Sequence, residues 1–204
     1  MENLTIQDFK KMLSAALEQV KQREDEFSKL DAVIGDGDHG TAIVQALTSV
    51  VEAAEKGSEF KTMLNDIGFN VMLQTSGSTS TLIGALFLGM SDAAQGDSLT
   101  VSQVKEMFKG GLANVQKQTK AQVGDKTMMD ALVPAVQAME ACDTEDVRQL
   151  FGCAAQAALK GAADTVNMKA NFGRARNYGE RSIGYTDSGA SSWACMFESF
   201  ANVL

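Results

Sequence analysis

Thr5-Ile-Gln-Asp-Phe-Lys-Lys-Met-Leu-Ser-Ala-Ala-Leu-Glu-Gln-Val20 decides the fold class. Its apolar residues Ile6, Phe9, Met12, Leu13, Ala16, Leu17 and Val20 recur every three or four positions, which lines one face of a helix and not one face of a strand. Thr5 and Asp8 open it like a capping box, with Asp in place of Glu. The same period returns at Ile43, Val44, Leu47, Val50, Val51 and Ala54, then from Phe60 to Leu73 and from Leu82 to Ala93. Thr100-Val-Ser-Gln103 is a cleaner capping box and leads into Val104, Met107, Phe108, Leu112 and Val115. Met128 to Ala141, Val147 to Thr165 and Ala190 to Leu204 complete about eight helices, with no convincing alternating strand. The single proline, Pro134, leaves few forced breaks. Small residues through Ala154, Ala155, Ala158, Gly161 and Ala162 permit close helix–helix approach. An all-α bundle or barrel is expected, and its apolar stripes are core without chemistry.

Composition bounds the function. The 204 residues, 45% hydrophobic, suit a single domain spanning 1–204 with ample core. Lys and Arg total 18 against 26 Asp and Glu, for a net charge of −8, which argues against nonspecific binding to nucleic acid or anionic membranes. No apolar run is long enough for a membrane span, and the polar start Met1-Glu-Asn-Leu-Thr predicts no signal peptide. Cys142, Cys153 and Cys195 have no C-x-x-C spacing and read as small hydrophobes in a reducing cytoplasm.

Chemistry concentrates in Asp31-Ala-Val-Ile-Gly-Asp36-Gly-Asp38-His39-Gly40, which holds three carboxylates, three glycines and the only histidine. Crowded carboxylates repel one another, whereas a hard divalent cation binds their oxygens and neutralises them. An EF-hand loop starting at Asp36 fails, because Thr41 stands where glycine is required and Leu47 where glutamate is required. Gly35-Asp-Gly37-Asp-His-Gly40 formally matches the dinucleotide fingerprint G-x-G-x-x-G. Asp36 and Asp38 would then face the pyrophosphate, at a repulsion of roughly 4 kcal/mol per close pair at an effective dielectric near 20. Phosphate fits only together with metal. A solvated acidic turn without function is the remaining reading.

Three further segments carry composition that a core does not explain. Ser76-Gly-Ser-Thr-Ser-Thr81 offers hydroxyls and N–H groups ahead of a helix, suited to an anion or to an ordinary cap and turn. Gly124-Asp-Lys-Thr-Met128 opens another helix and reads equally as a plain cap. Residues 171–187 gather Arg174, Arg176 and Arg181 on a glycine-punctuated loop in an acidic protein, either as forks for phosphate or as a solvated, partner-facing surface.

Taken together, Gly35-Asp-Gly-Asp-His-Gly-Thr41, Gly124-Asp-Lys-Thr-Met128, Gly173-Arg-Ala175 and Gly179-Glu-Arg-Ser-Ile-Gly184 resemble the nucleotide-binding L domain of dihydroxyacetone kinases, in order and spacing, over nearly the whole chain. The resemblance implies a barrel of eight antiparallel amphipathic helices with ADP and two Mg2+ held by loops at one end. It implies Asp31, Asp36 and Asp38 as metal ligands. His39, Gly40, Thr41 and Ala42 would cradle phosphates at a helix start, Met128 would lie on the adenine, and Arg174 would reach the nucleotide. By position, Thr79 and Ser80 form a second wall, Thr119 lies near the adenine, and Asp187, Ser188 and Gly189 complete the site.

Departures from the family pattern fall in that second wall. Gly77-Ser-Thr79-Ser80-Thr81 replaces the usual Gly-Ala-Ser-Gly-Pro, Ser188 stands in an Asp-Pro-Gly motif, Tyr185 replaces a common histidine, and Thr119 replaces a frequent glycine. Chain size implies the separate L subunit of the phosphoenolpyruvate-fed bacterial system. There the substrate is carried as a hemiaminal on a K subunit, a phosphorylated M subunit of the sugar phosphotransferase system recharges bound ADP to ATP, and contact with a transcriptional regulator is also implied. A nucleotide-dependent regulatory binding module and a kinase subunit for a different short ketose are the alternatives.

Overall fold

The computed structural model describes residues 1–204 and contains nine α-helices: α1 (Ile6–Gln22), α2 (Glu24–Ile34), α3 (His39–Ala54), α4 (Phe60–Gln74), α5 (Ser78–Ser91), α6 (Val101–Gln118), α7 (Met129–Ala141), α8 (Val147–Asp164) and α9 (Ser188–Val203). Eight of them close a ring. Each helix from α3 to α9 packs on its successor, and α1 fills the gap between α9 and α3. The ninth, α2, lies outside the ring against α3 and α9. It was not expected, because only Phe27 and Ile34 of its eleven residues are buried, too few to print a helical period. The all-α class follows from the periodicity, and α2 is the addition.

Two three-residue strands, β1 (Asn3–Thr5) and β2 (Ser98–Thr100), pair antiparallel with Leu4 opposite Leu99. Each is too short to show alternation. Each also ends on the residue that caps the next helix. Thr100 and Gln103 form the full reciprocal capping box. Asp8, one methylene shorter than glutamate, instead accepts from the Thr5 hydroxyl while its own N–H donates to Thr5 Oγ1.

One contiguous cluster of 55 buried side chains fills the ring. At its centre Phe108 meets Phe151 and Phe197 with ring centroids 5.6 and 5.9 Å apart, tying α6 to α8 and α9. Backbones touch where the small residues lie. A β-carbon on Gly161 would stand 1.8 Å from the Asp130 carbonyl oxygen. Pro134, inside α7, has no N–H to offer that carbonyl, so α8 approaches it directly. The cysteines depart from expectation. Cys142 and Cys153 form a disulfide between the end of α7 and α8, leaving Cys195 alone free and buried. No helix is long and apolar enough to cross a membrane.

The α7–α8 contact gives a paired test. Gly161→Ala should lower unfolding free energy by about 1–3 kcal/mol through overpacking. Gly152→Ala, in the same helix with nothing within 4 Å of the added carbon, should raise it by up to about 1 kcal/mol. Urea denaturation of both variants checks the sign of each change.

Candidate functional site

Alternation around the ring brings the first turns of α3, α5, α7 and α9 to one end, where they line a single cleft of about 360 Å³. Helix N-termini present unpaired N–H groups and partial positive charge. In α3, the first helical bond runs from Ala42 N–H to the Asp38 carbonyl, which leaves the N–H groups of His39, Gly40 and Thr41 without helical partners. In α5 the first runs from Thr81 N–H to the Gly77 carbonyl, and Gly77 takes φ of 101°, a left-handed turn suited to glycine. The free N–H groups at the starts of α3 and α5 suit an anion, whereas the first N–H groups of α7 are taken by Thr127 and Met128, and that of Ala190 in α9 by Asp187.

Beside these helix starts stands the acidic corner. Asp31 lies in the last turn of α2, and Asp36 and Asp38 on the turn into α3. One oxygen from each lies within 4.8 Å of the others. Asp31 is held from behind: Gly37 N–H donates to its Oδ2 at 2.7 Å, and the Ser188 hydroxyl approaches Oδ1 at 3.4 Å. Gly35 is required here, since a β-carbon would lie 2.4 Å from Asp31 Oδ1. Burial pushes the Asp38 carboxyl above its usual range, and the charges of Asp36 and Asp31 push it further. Three oxygen donors that repel one another fit a hard divalent cation, which would relieve that repulsion. Arg174 Nη1 reaches Asp36 Oδ2 at 2.7 Å from the opposite wall.

That opposite wall is organised by two residues to which sequence reading gave no role. Asp130, fully buried at the start of α7, accepts Gly124 N–H at 2.6 Å and Thr127 N–H at 2.8 Å. Lys126, 1% exposed and at a left-handed φ of 61°, donates to the Thr165 carbonyl at 2.7 Å and to the Tyr185 carbonyl. Burial lowers the Lys126 ammonium from its ordinary value, against Asp187 and Asp130, which raise it. The signals were a carboxylate in a helix's first turn and a lysine between Asp125 and Thr127, neither readable without the partner segments. Asp187 caps α9 through the Ala190 N–H at 2.7 Å, and burial pushes its carboxyl up.

Of the expected site residues, Asp31, Asp36, Asp38, His39, Ala42, Thr79, Met128, Arg174, Asp187, Ser188 and Gly189 line the cleft together. Gly40, Thr41, Ser80 and Thr119 do not. Gly40 is buried against α2, where a β-carbon would meet the Glu24 carbonyl oxygen at 2.1 Å. The Thr41 hydroxyl donates to Glu24 Oε1 at 2.9 Å. Ser80 is buried and accepts from the Thr75 hydroxyl at 2.6 Å, bracing the turn before α5 from inside. Thr119 lines a separate cleft with Gln116, Gln122, Met129 and Val133. His39 Nε2 lies 2.8 Å from Ser192 Oγ, whose own proton goes to the Gly189 carbonyl. With the Ser192 proton assigned to the Gly189 carbonyl, the ring donates from Nε2 and leaves Nδ1 as acceptor; burial lowers its pKa.

An all-α ring with three carboxylates beside helix N-termini is the class of site whose chemistry suits phosphate together with a hard cation. The comparisons are specific. Residues 33–202 match the DAK2 domain, and the chain belongs to that family. It is 35% identical over 179 residues to the ADP-binding subunit DhaL of the PEP-dependent dihydroxyacetone kinase of Escherichia coli, covering 84% of each chain. Against the ADP-binding subunit DhaL of PEP-dependent dihydroxyacetone kinase 1 of Listeria innocua it is 33% identical over 183 residues, covering 88% of this chain and 87% of the relative. The fold is that of the dihydroxyacetone kinase of C. freundii crystallised with AMP-PNP and Mg2+, at a TM-score of 0.73 and 24% identity over 94% of this chain. This chain spans 33% of that kinase's length. The resemblance read from the motifs is thus shown.

Asp130→Asn tests the wall. An amide offers one acceptor where two N–H groups converge, so one buried N–H loses its partner. Stability should fall by about 1–3 kcal/mol, measured by chemical denaturation with circular dichroism confirming retained helix.

Proposed function

We propose that this chain is the ADP-binding, phosphoryl-transferring subunit of a phosphoenolpyruvate-dependent dihydroxyacetone kinase. In this role it holds ADP with two Mg2+ as a retained cofactor, receives phosphate from an M subunit and delivers it to dihydroxyacetone on a K subunit. It would do so in the cytoplasm and as one domain. The observation that carries this reading is the convergence of Asp31, Asp36 and Asp38 beside the free first-turn N–H groups of α3, in a cleft shared with three other helix starts. The relatives' names supply the nucleotide and the dependence on phosphoenolpyruvate; the K and M subunits are what the family resemblance implies.

Each residue has a physical task under this reading. Asp31, Asp36 and Asp38 would hold the cations, which supply charge neutralisation for the phosphates. The N–H groups of His39, Gly40 and Thr41 point from the start of α3 toward phosphate oxygens, so the last two serve through backbone although their side chains pack on α2. Ala42, Thr79, Ser80, Ser188 and Gly189 shape the phosphate walls, Ser80 from behind and Asp187 by capping α9. Met128, 7% exposed at the rim of the cleft, offers an apolar face for the adenine, with the Thr119 cleft beyond it. Arg174 supplies a planar fork for phosphate.

Charge makes the ligands interdependent. Two divalent ions bring roughly +4 against about −3 from the aspartates and about −3 from ADP. Nucleotide without metal would meet repulsion, and the complete set should leave slowly.

Asp36→Asn and Asp38→Asn should each abolish tight ADP binding in calorimetry with Mg2+ while leaving the helical spectrum unchanged. Unchanged affinity in both sinks the metal assignment. Arg174→Lys should weaken ADP about ten- to a hundredfold, the value of one charge-assisted hydrogen bond of roughly 1.5–3 kcal/mol. Native mass spectrometry of the purified chain should find ADP and two magnesium ions. Radiolabelled ADP loaded on the protein should stay bound through many turnovers in a reconstituted K, L and M system, and a label lost within a few cycles contradicts the retained-cofactor role.

A further inference from the structure

Residues 171–185 form a strap across the mouth of the cleft, built unlike the rest of the barrel. Its base is bound to the α6–α7 turn and to the end of α8. Asn171 N–H donates to the Asp125 carbonyl at 3.1 Å and Asn171 Nδ2 to Asp125 Oδ1 at 2.8 Å. Gly184 N–H donates to the Val166 carbonyl at 2.7 Å, and Lys126 holds the Tyr185 carbonyl. Gly173 and Gly179 between these anchors, and Gly184 at one of them, take φ of 61°, 56° and 96°, with nothing within 4 Å of where a β-carbon would stand. On the far side, the strap's one polar link to α2 and the acidic turn is the ion pair of Arg174 with Asp36.

That pair uses Asp36 Oδ2, an oxygen of the carboxylate cluster itself. A guanidinium in contact with a cluster carboxylate and a divalent cation coordinated by the cluster are alternative neutralisers of the same charge. We propose that Arg174 competes directly with divalent cation at Asp36, so that cation binding releases the strap and hands Arg174 to the nucleotide. The inference rests on the metal assignment made above and adds a sign to it. Arg174 opposes cation binding in the absence of nucleotide and supports the complex once phosphate is there to receive it. The Arg174 side chain is 70% exposed and that of Asp36 31% exposed, so water screens the pair and the competition is mild. By linkage, the cation weakens the hold of Asp36 on the strap by the same factor that Arg174 weakens the cation.

The test uses the whole chain stripped of nucleotide, with Mn2+ as probe, read by electron paramagnetic resonance at about 0.15 M ionic strength. Arg174→Gln should bind Mn2+ about two- to fivefold more tightly than wild type, yet bind ADP in the presence of Mn2+ more weakly. Arg176→Gln makes the same charge change on the same strap without the Asp36 contact, and should leave Mn2+ affinity within error of wild type. Hydrogen exchange supplies a second readout. Mn2+ should speed exchange over residues 173–181 in wild type and leave it unchanged in Arg174→Gln, where the strap is already released. Equal or weaker Mn2+ binding by Arg174→Gln, or equal tightening by Arg176→Gln, overturns the competition and leaves the metal assignment standing. Wild-type protein that binds no Mn2+ overturns both.

Discussion

Three carboxylates crowded into one corner repel one another, and positive charge beside them relieves that repulsion. Here the backbone supplies the first part of that charge. Four helices start at the same end of the ring, and their partial positive ends face the cleft on whose wall Asp31, Asp36 and Asp38 sit. Those partial charges are fixed and modest, and Asp38 still titrates above its usual range. The arrangement leaves excess negative charge beside free N–H groups, which is the electrostatic basis of the proposed cation and phosphate sites.

Ring closure is what makes this corner possible. The chain must return α9 to α1 and α1 to α3, so that the turn before α3 and the start of α9 become neighbours. Ser192 and Ser188 of α9 then meet His39 and Asp31 across more than 150 residues of sequence. The outer helix α2 adds a second requirement. It carries Asp31 in its last turn, and Gly40 lets α3 lie close enough against it for Asp31 to reach the other two carboxylates. Gly40 and Thr41 fall in a motif that the family resemblance assigns to phosphate, yet their side-chain positions are spent on α2, and their backbone is what remains for a ligand.

The two walls of the cleft differ in kind. The acidic wall is a short turn locked by its own carboxylate, with Gly37 N–H on Asp31. The basic wall is a long excursion between α8 and α9, fastened at its base through Lys126, Asp125 and Thr165 and joined to the acidic wall by the exposed Arg174–Asp36 pair. A rigid carboxylate wall and a glycine-jointed arginine strap suit a cleft that must accept and hold a charged ligand while keeping one side adjustable.

Much of this was legible without coordinates, for reasons that are local. Helical periodicity belongs to each segment by itself, so Ile6 to Val20 or Val104 to Val115 declared their class from spacing alone. The acidic corner was equally plain, because charge crowding within eight residues needs no tertiary contact to be recognised. Other features had no local signature. Helix α2 buries too little of itself to show a period, and β1 and β2 are three residues long. Asp130 and Lys126 look like an ordinary first-turn acid and a surface lysine until Thr165 and Tyr185 arrive from far along the chain. The side chains of Thr41, Ser80 and Thr119, expected at the phosphates, the second wall and the adenine, lie respectively on α2, behind the wall and in a neighbouring cleft. Cys142 and Cys153 became partners because α7 and α8 lie side by side. Sequence by itself determined which segments are helices and which residues carry charge in excess, since both are set by neighbours along the chain. Only the tertiary structure decided which of those charges meet, because that depends on the order in which eight helices close a ring.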